Sequence, residues 1–242
     1  RFWESRDDRS FTINTLPYTK SYDTLNVTLS IDPVAKKING SEERTLGGYY
    51  AANIQSYMKY YEIEDEEMLL KEKLGFDDEN VLISGEKYLN NKQEDIGIRP
   101  LKLSARFNTV DFATYNTNSM EITIGAFIGK QNKIEDKSPR TMPVDLQFLH
   151  NLSRTITIDI PDGYKLSEQN SKLDTAIYDT DNAQNANAAF IVKTELQGDK
   201  LIVHCDEYYK QLHYEVSEYP NIKRIFDASA DFNNKKIIFV KK

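Results

Sequence analysis

Cysteine, tryptophan, glycine and proline are scarce in this chain. Its 242 residues hold one cysteine, one tryptophan, ten glycines and seven prolines. A single cysteine excludes an internal disulfide and leaves the redox compartment open. No apolar run approaches the roughly 20 residues that a membrane helix needs, and no signal-peptide pattern is present. The chain starts at Arg1 instead of methionine, so the expectation is a piece excised from a longer protein. Basic excess is missing too. The net charge is −7, with no long block of one sign. A nucleic-acid partner would need a basic face to displace counterions from phosphates, so that class is excluded. Lys235, Lys236, Lys241 and Lys242 flank one short apolar run and read as solubilising charges at a strand end.

Signatures of chemistry are also lacking. There is no G-x-S-x-G elbow, no G-x-x-x-x-G-K phosphate loop and no G-x-G-x-x-G. Paired C-x-x-C and H-E-x-x-H spacings do not occur. The carboxylates are plentiful, but nothing marks two of them as a glycosidase-like pair.

What is present is a strand pattern. The chain is 39% hydrophobic, with 15 tyrosines and 11 phenylalanines spread along its length, which makes it globular. Residues 22–31 place Leu25, Val27, Leu29 and Ile31 on one face. Residues 37–46 read as the partner strand, and Gly47-Gly48 ends it. The period then changes. Tyr50, Ile54, Tyr57, Met58 and Tyr61 recur at spacings of three and four, which predicts a helix over 49–61. A second helix is expected over 64–75. EIEDEE (62–67) puts acids at its start, Glu67 and Lys71 form an i,i+4 pair, and Gly75 stops it. The acids there point in different directions and read as a solvated helix start.

Strands follow at 79–89, 99–110, 118–127, 141–149, 153–160, 171–179, 186–196, 199–214 and 237–240. In the clearest, Ile156, Ile158 and Ile160 oppose Thr155, Thr157 and Asp159. Residues 132–139 are the best internal linker, and 179–189 are a low-complexity polar loop. Pro220 fits the first turn of a last helix with an apolar stripe of Ile222, Ile225 and Phe226. The fold class is therefore mainly β with some α. An antiparallel sheet with two helices is expected over 1–135. A β-sandwich-like domain with one C-terminal helix is expected over 136–242, with residue 97 as an alternative boundary.

A catalytic site has one place to hide, LIVHCDEYYKQLHY (201–214). On a strand, side chains alternate. Cys205 then shares a face with Leu201 and Val203, as a small core hydrophobe. His204 and Asp206 point the other way, so His204 cannot readily act as a base for Cys205. His213 lies eight residues on, roughly 26 Å along a straight strand. A metal would need His204 and Asp206 with His150 or His213. The stretch reads as a strand, and no catalytic, cofactor-binding or metal residue is assigned.

A family resemblance goes further. RTMPVDLQFLHNLSRTITIDIPDGYKL (140–166) gives an arginine, a proline-led strand, then an aliphatic strand closing on Pro, a polar residue, Gly and an aromatic. EYPNIKRIFDASADFNNKKIIFVKK (218–242) leads a tyrosine-containing turn into a short helix and a final aliphatic strand. NVTLSIDPVAKKINGSEERTLGGYYAANIQSYM (26–58) adds a strand, turn, strand, glycine, helix passage. Together they resemble the region C-terminal to the catalytic core of large transglutaminase-like bacterial proteins, a domain of unknown function.

The resemblance implies a non-catalytic accessory region that packs on, positions or shields that core, its suspected partner in the same parent chain. The Cys, His and Asp triad of the core has no counterpart here, so no activity of its own is expected. It also implies export to the cell envelope. Asp23-Thr24-Leu25 and Asp174-Thr175-Ala176 resemble the O-glycosylation signal of some exported bacterial proteins. An accessory region predicts an aromatic surface patch, to which Tyr57, Tyr60 and Tyr61 or Tyr208 and Tyr209 would contribute. The alternative is a glycan- or peptide-binding module, for which Trp3 is thin support.

Overall fold

The computed structural model describes residues 2–6, 9–13, 20–58, 80–131, 133–135 and 139–242. The expected helix over 64–75 lies outside these residues, as do Tyr60 and Tyr61. Among the described residues strands predominate and there are two α-helices, so the fold is mainly β.

A short hairpin of β1 (Phe2–Arg6) and β2 (Arg9–Ile13) comes first. The main architecture starts with β3 (Ser21–Asp32), where every odd residue is buried, from Ser21 to Ile31. This is the alternation the sequence predicts, carried through Asp23 back to Ser21. β4 (Lys37–Gly47) returns antiparallel. Gly48 then turns the chain with φ 61, where a Cβ would sit 2.7 Å from the Ser21 hydroxyl. Helix α1 (Tyr49–Met58) follows, its first backbone N–H donating to Ser21 Oγ at 3.1 Å. The buried Gln55 amide donates to the carbonyls of Asn90 and Arg99, tying the helix to the chain beyond β5 (Leu82–Leu89).

Beyond β6 (Leu101–Thr109) lie β7 (Ala113–Tyr115) and β8 (Ser119–Thr123). The strand expected over 118–127 stops at Thr123. Residues 124–128 form a 3-10 turn instead, because Gly125 packs directly on the backbone of Phe232 and Asn233. The strand expected over 141–149 shrinks to β9 (Val144–Asp145). It pairs only with β15 (His213–Tyr214), a separate strand because the ladder expected through 199–214 breaks after Tyr209. Between them run β10 (His150–Asp159), β11 (Tyr164–Leu166), β12 (Thr175–Tyr178), β13 (Ala188–Gln197) and β14 (Lys200–Tyr209). Helix α2 (Tyr219–Phe232) carries Pro220 in its first turn, and β16 (Lys236–Lys241) closes the chain.

These strands build an eight-stranded sheet in the order β12-β13-β14-β10-β3-β4-β6-β5. A four-stranded sheet has the order β11-β16-β8-β7. In the larger sheet β10 pairs with β3 in parallel, and its other pairs are antiparallel. The boundary expected at 135 falls in the loop before β9, while the sheet itself runs across that position. Four strands come from each side and meet at β3 and β10. One core cluster joins both sheets. It takes Val27, Leu29, Ile156, Ile158 and Val203 from the large sheet, and Met120, Ile122, Ile237 and Phe239 from the small one. Helix α2 lies over β12 and β13, burying Ile222 and Ile225, while Phe190 meets Phe232 with ring centroids 6.0 Å apart.

Candidate functional site

The inner face of the large sheet is mostly apolar, crossed by a row of charged residues on β4, β3, β10 and β14. Register shows why. Leu25 lies opposite Arg154 on one side and Arg44 on the other, and Arg154 lies opposite Cys205. Asp23, Glu42, Arg154 and Glu207 therefore share the buried face with the core leucines and isoleucines, and all four are buried.

Two ion pairs anchor this row. Arg44 grips Asp23 with both arms of its fork, Nε donating to Oδ1 at 2.9 Å and Nη2 to Oδ2. Burial by itself would lower the Arg44 pKa, but the Asp23 contacts outweigh it and the net shift is upward. Arg154 Nη1 donates to Glu207 Oε2 at 3.3 Å. Glu207 also accepts from the Tyr209 hydroxyl at 2.7 Å and from Ser229 Oγ of α2 at 2.9 Å. The carboxylate thus fixes α2 to the sheet, the arrangement a buried charge requires. Burial, with Glu207 beside it, raises the Tyr209 pKa.

Tyr50 of α1 closes the row from above. Burial chiefly, then Asp23 and Glu207, push its hydroxyl up to about 12. Around it runs a chain of rings from helix to helix. Tyr49 stacks on Phe148 with centroids 5.1 Å apart, and Tyr50 meets the edge of the same ring at 5.1 Å. His150 lies 5.5 Å from Phe148 and 4.9 Å from Tyr209, which stacks on Phe226 of α2 at 5.3 Å. His150 Nδ1–H donates to the Phe148 carbonyl at 2.9 Å. Tyr49, Tyr50, Phe148, His150 and Phe226 are all half-buried. The result is a half-open aromatic seam between α1 and α2, over a floor of paired charges.

The residues singled out in LIVHCDEYYKQLHY scatter. Cys205 is fully buried beside Leu201 and Val203, on the face the alternation predicts. Burial, the largest influence, pushes its thiol up to about 12, so a reactive thiolate does not form at neutral pH. The native protein is therefore expected to leave a disulfide reagent such as Ellman's unreacted over hours, and to react fully once denatured. Fast native labelling would show the strand opening. His204 points outward, with Thr155 Oγ1 at 3.3 Å and Glu195 at 3.8 Å. Asp206, also outward, accepts from Ser153 Oγ at 2.7 Å. His213 is exposed on β15, with Asp145 at Nδ1 (2.7 Å) and Glu215 at Nε2 (3.2 Å), and these hydrogen bonds raise its pKa. Among the described residues no three His, Cys, Asp or Glu side chains form a metal-holding group.

Of the tyrosines expected on a surface patch, Tyr57 is exposed, Tyr208 is half-buried and Tyr209 is core. In Asp23-Thr24-Leu25 the aspartate is committed to Arg44. In Asp174-Thr175-Ala176 it accepts from the Thr194 backbone N–H and hydroxyl. The charged row and the seam were missed by motif search. Their signal was phase: Asp23, Arg154 and Glu207 each have the parity of the apolar residues in their own strand.

Comparison with known proteins finds similarity over part of the chain. Residues 126–239 match the model of DUF3858, a domain of unknown function with a solved structure. The match begins inside the 3-10 turn before β9 and ends within β16. No curated protein matches the chain. Among solved structures, a Parabacteroides distasonis protein described as a candidate protease is similar at 14% identity, with a TM-score of 0.35. The similarity covers 44% of this chain and 19% of that one.

Proposed function

We propose that this chain is a non-catalytic accessory module of a larger bacterial envelope protein, packing on or positioning a transglutaminase-like catalytic core. The observation that carries this reading is the aromatic seam. Its rings are half-open, and Met142, Leu149 and Leu212, on the β9–β15 ribbon and its flanks, are 69%, 47% and 47% exposed. An exposed aromatic and aliphatic surface on a rigid floor is the composition of an interface core. The match of 126–239 to a domain of unknown function is compatible with an accessory role. In this reading the chemistry belongs to the core, the charged row is scaffold, and the whole acts outside the cytoplasm.

The experiment is to express the upstream part of the parent reading frame and titrate it with this chain by calorimetry. Association is expected, and Phe148→Asp is expected to weaken it at least tenfold at a temperature where melting shows the variant still folded. No association, or indifference to Phe148→Asp, overturns the reading. A glycan- or peptide-binding module is the alternative, since half-open tyrosines stack on sugar rings. Saturable binding of an oligosaccharide, lost in Tyr49→Ala, would favour it.

A further inference from the structure

Glu42 is the buried acid that the site does not use. It sits in the middle of β4, opposite Val27 of β3 and Ala105 of β6. Its residue is 0% exposed, and neither carboxyl oxygen has a hydrogen-bond partner. Its neighbours are already engaged. Arg44, two positions along the same face, spends its fork on Asp23. Glu207 is held by Arg154, Tyr209 and Ser229. The titratable groups around it are Asp23 on β3 and Arg44 on β4 itself, with Tyr50 of α1 facing those two and Arg154 and Glu207 completing the row. On β6 the inward residues Leu103, Ala105 and Phe107 carry no charge. The core side chains contributed by the small sheet and the 3-10 turn, Met120, Ile122, Phe127, Ile237 and Phe239, are equally uncharged. A carboxylate with no donor in such surroundings is strongly disfavoured, whereas a carboxylic acid is tolerated.

We propose that Glu42 is a proton latch: the inner face of the large sheet closes over it only while its carboxyl carries a proton. Desolvation raises its pKa well above the ordinary glutamate value near 4.5, with Asp23 adding to the shift and Arg44 opposing it. The unfolded chain gives up this proton near 4.5 and the folded chain only well above it. Below the lower value both states hold the proton, and the contribution to stability is complete. Between the two values only the folded state holds it, so the folding constant falls about tenfold per pH unit. Above the folded value both states have lost it and the dependence ends. The closed fold is therefore weakened, by an amount set by one side chain, as pH rises between the two values, and opening there uncovers the apolar inner face.

The test is urea unfolding of the full chain and of Glu42→Gln from pH 5 to pH 9, with infrared spectra at pH 7. The folding constant of the natural chain is expected to drop about tenfold per pH unit relative to Glu42→Gln across part of that range. A protonated carboxylic acid band is expected in the folded natural chain at pH 7, absent from the variant and lost on unfolding. Parallel pH profiles overturn the proposal. Should Glu42→Gln fail to fold, the natural chain decides alone: no carboxylic acid band at pH 7, or one unchanged on unfolding, overturns it as well.

Discussion

Arg154→Met is expected to destabilise the fold by about 3–5 kcal/mol, because it leaves the Glu207 carboxylate charged and buried without its cation. Arg154 and Glu207 side chains are 5% and 4% exposed, so water cannot replace the lost partner. The damage should spread through the carboxylate. Glu207 also orders the Tyr209 hydroxyl and Ser229, so α2 loosens where it is pinned to β14. The double variant Arg154→Met with Glu207→Gln removes both charges and leaves an amide oxygen to accept from one of the Tyr209 and Ser229 hydroxyls and an amide N–H to donate to the other. It should recover most of the loss, because a buried pair costs much to break and little to replace. Urea unfolding of the two variants checks this. If the double variant is no more stable than the single one, the ion pair is not what holds this part of the face together.

Gly125→Ala is expected to cost about 3 kcal/mol, the upper end of overpacking. A Cβ at that position would lie 1.8 Å from the Phe232 carbonyl oxygen and 2.6 Å from the Asn233 Cα. Both obstacles are backbone, so no side chain can swing away. The 3-10 turn and the end of α2 must part. That breaks the Asn233 amide's donation to the Gly125 and Gly129 carbonyls, at 2.8 and 2.9 Å, and opens the packing of Phe127. Gly163→Ala is the control. Its φ of 78 is unfavourable for alanine, a strain that Gly125 does not carry, but nothing lies within 4 Å of the new Cβ. Its cost should stay near 1 kcal/mol of backbone strain. Thermal melting of the two variants separates clash from strain, and equal shifts would refute the steric account.

Much of the fold was legible, and the reasons are local. Strands such as β3, β10 and β14 declare themselves because one face is buried and the other wet, so each residue reports its own side. Helix α2 is equally plain, with Pro220 at its start and Ile222 and Ile225 in phase. The 3-10 turn at 124–128 was not legible. IGAFI has the composition of a strand, and only a helix end more than 100 residues later forbids it. β9 and β15 were misjudged in the same way, since 141–149 and 210–214 carry apolar residues but form a separate two-stranded ribbon instead of extending a ladder. The parallel pairing of β3 with β10 leaves no trace in either strand alone. As for the site, attention to rare residues led to Cys205 and the histidines, which the structure disperses. Common residues in the wrong phase, Asp23, Glu42, Arg44, Arg154 and Glu207, were the stronger sign.

The parallel seam has a consequence for how the molecule assembles. β3 and β4 are joined by a four-residue turn, β5 and β6 lie close in sequence, and β13 and β14 form a tight hairpin. Each set can gather locally. The seam instead joins residues about 130 positions apart, and it must overcome the entropy of that closure before its contacts reward it. Until it forms, β3 and β10 are both naked inner edges, ten residues long, each able to take the wrong neighbour. The slow step of folding, and the moment of greatest exposure to aggregation, thus lies at one strand-to-strand junction in the middle of the sheet.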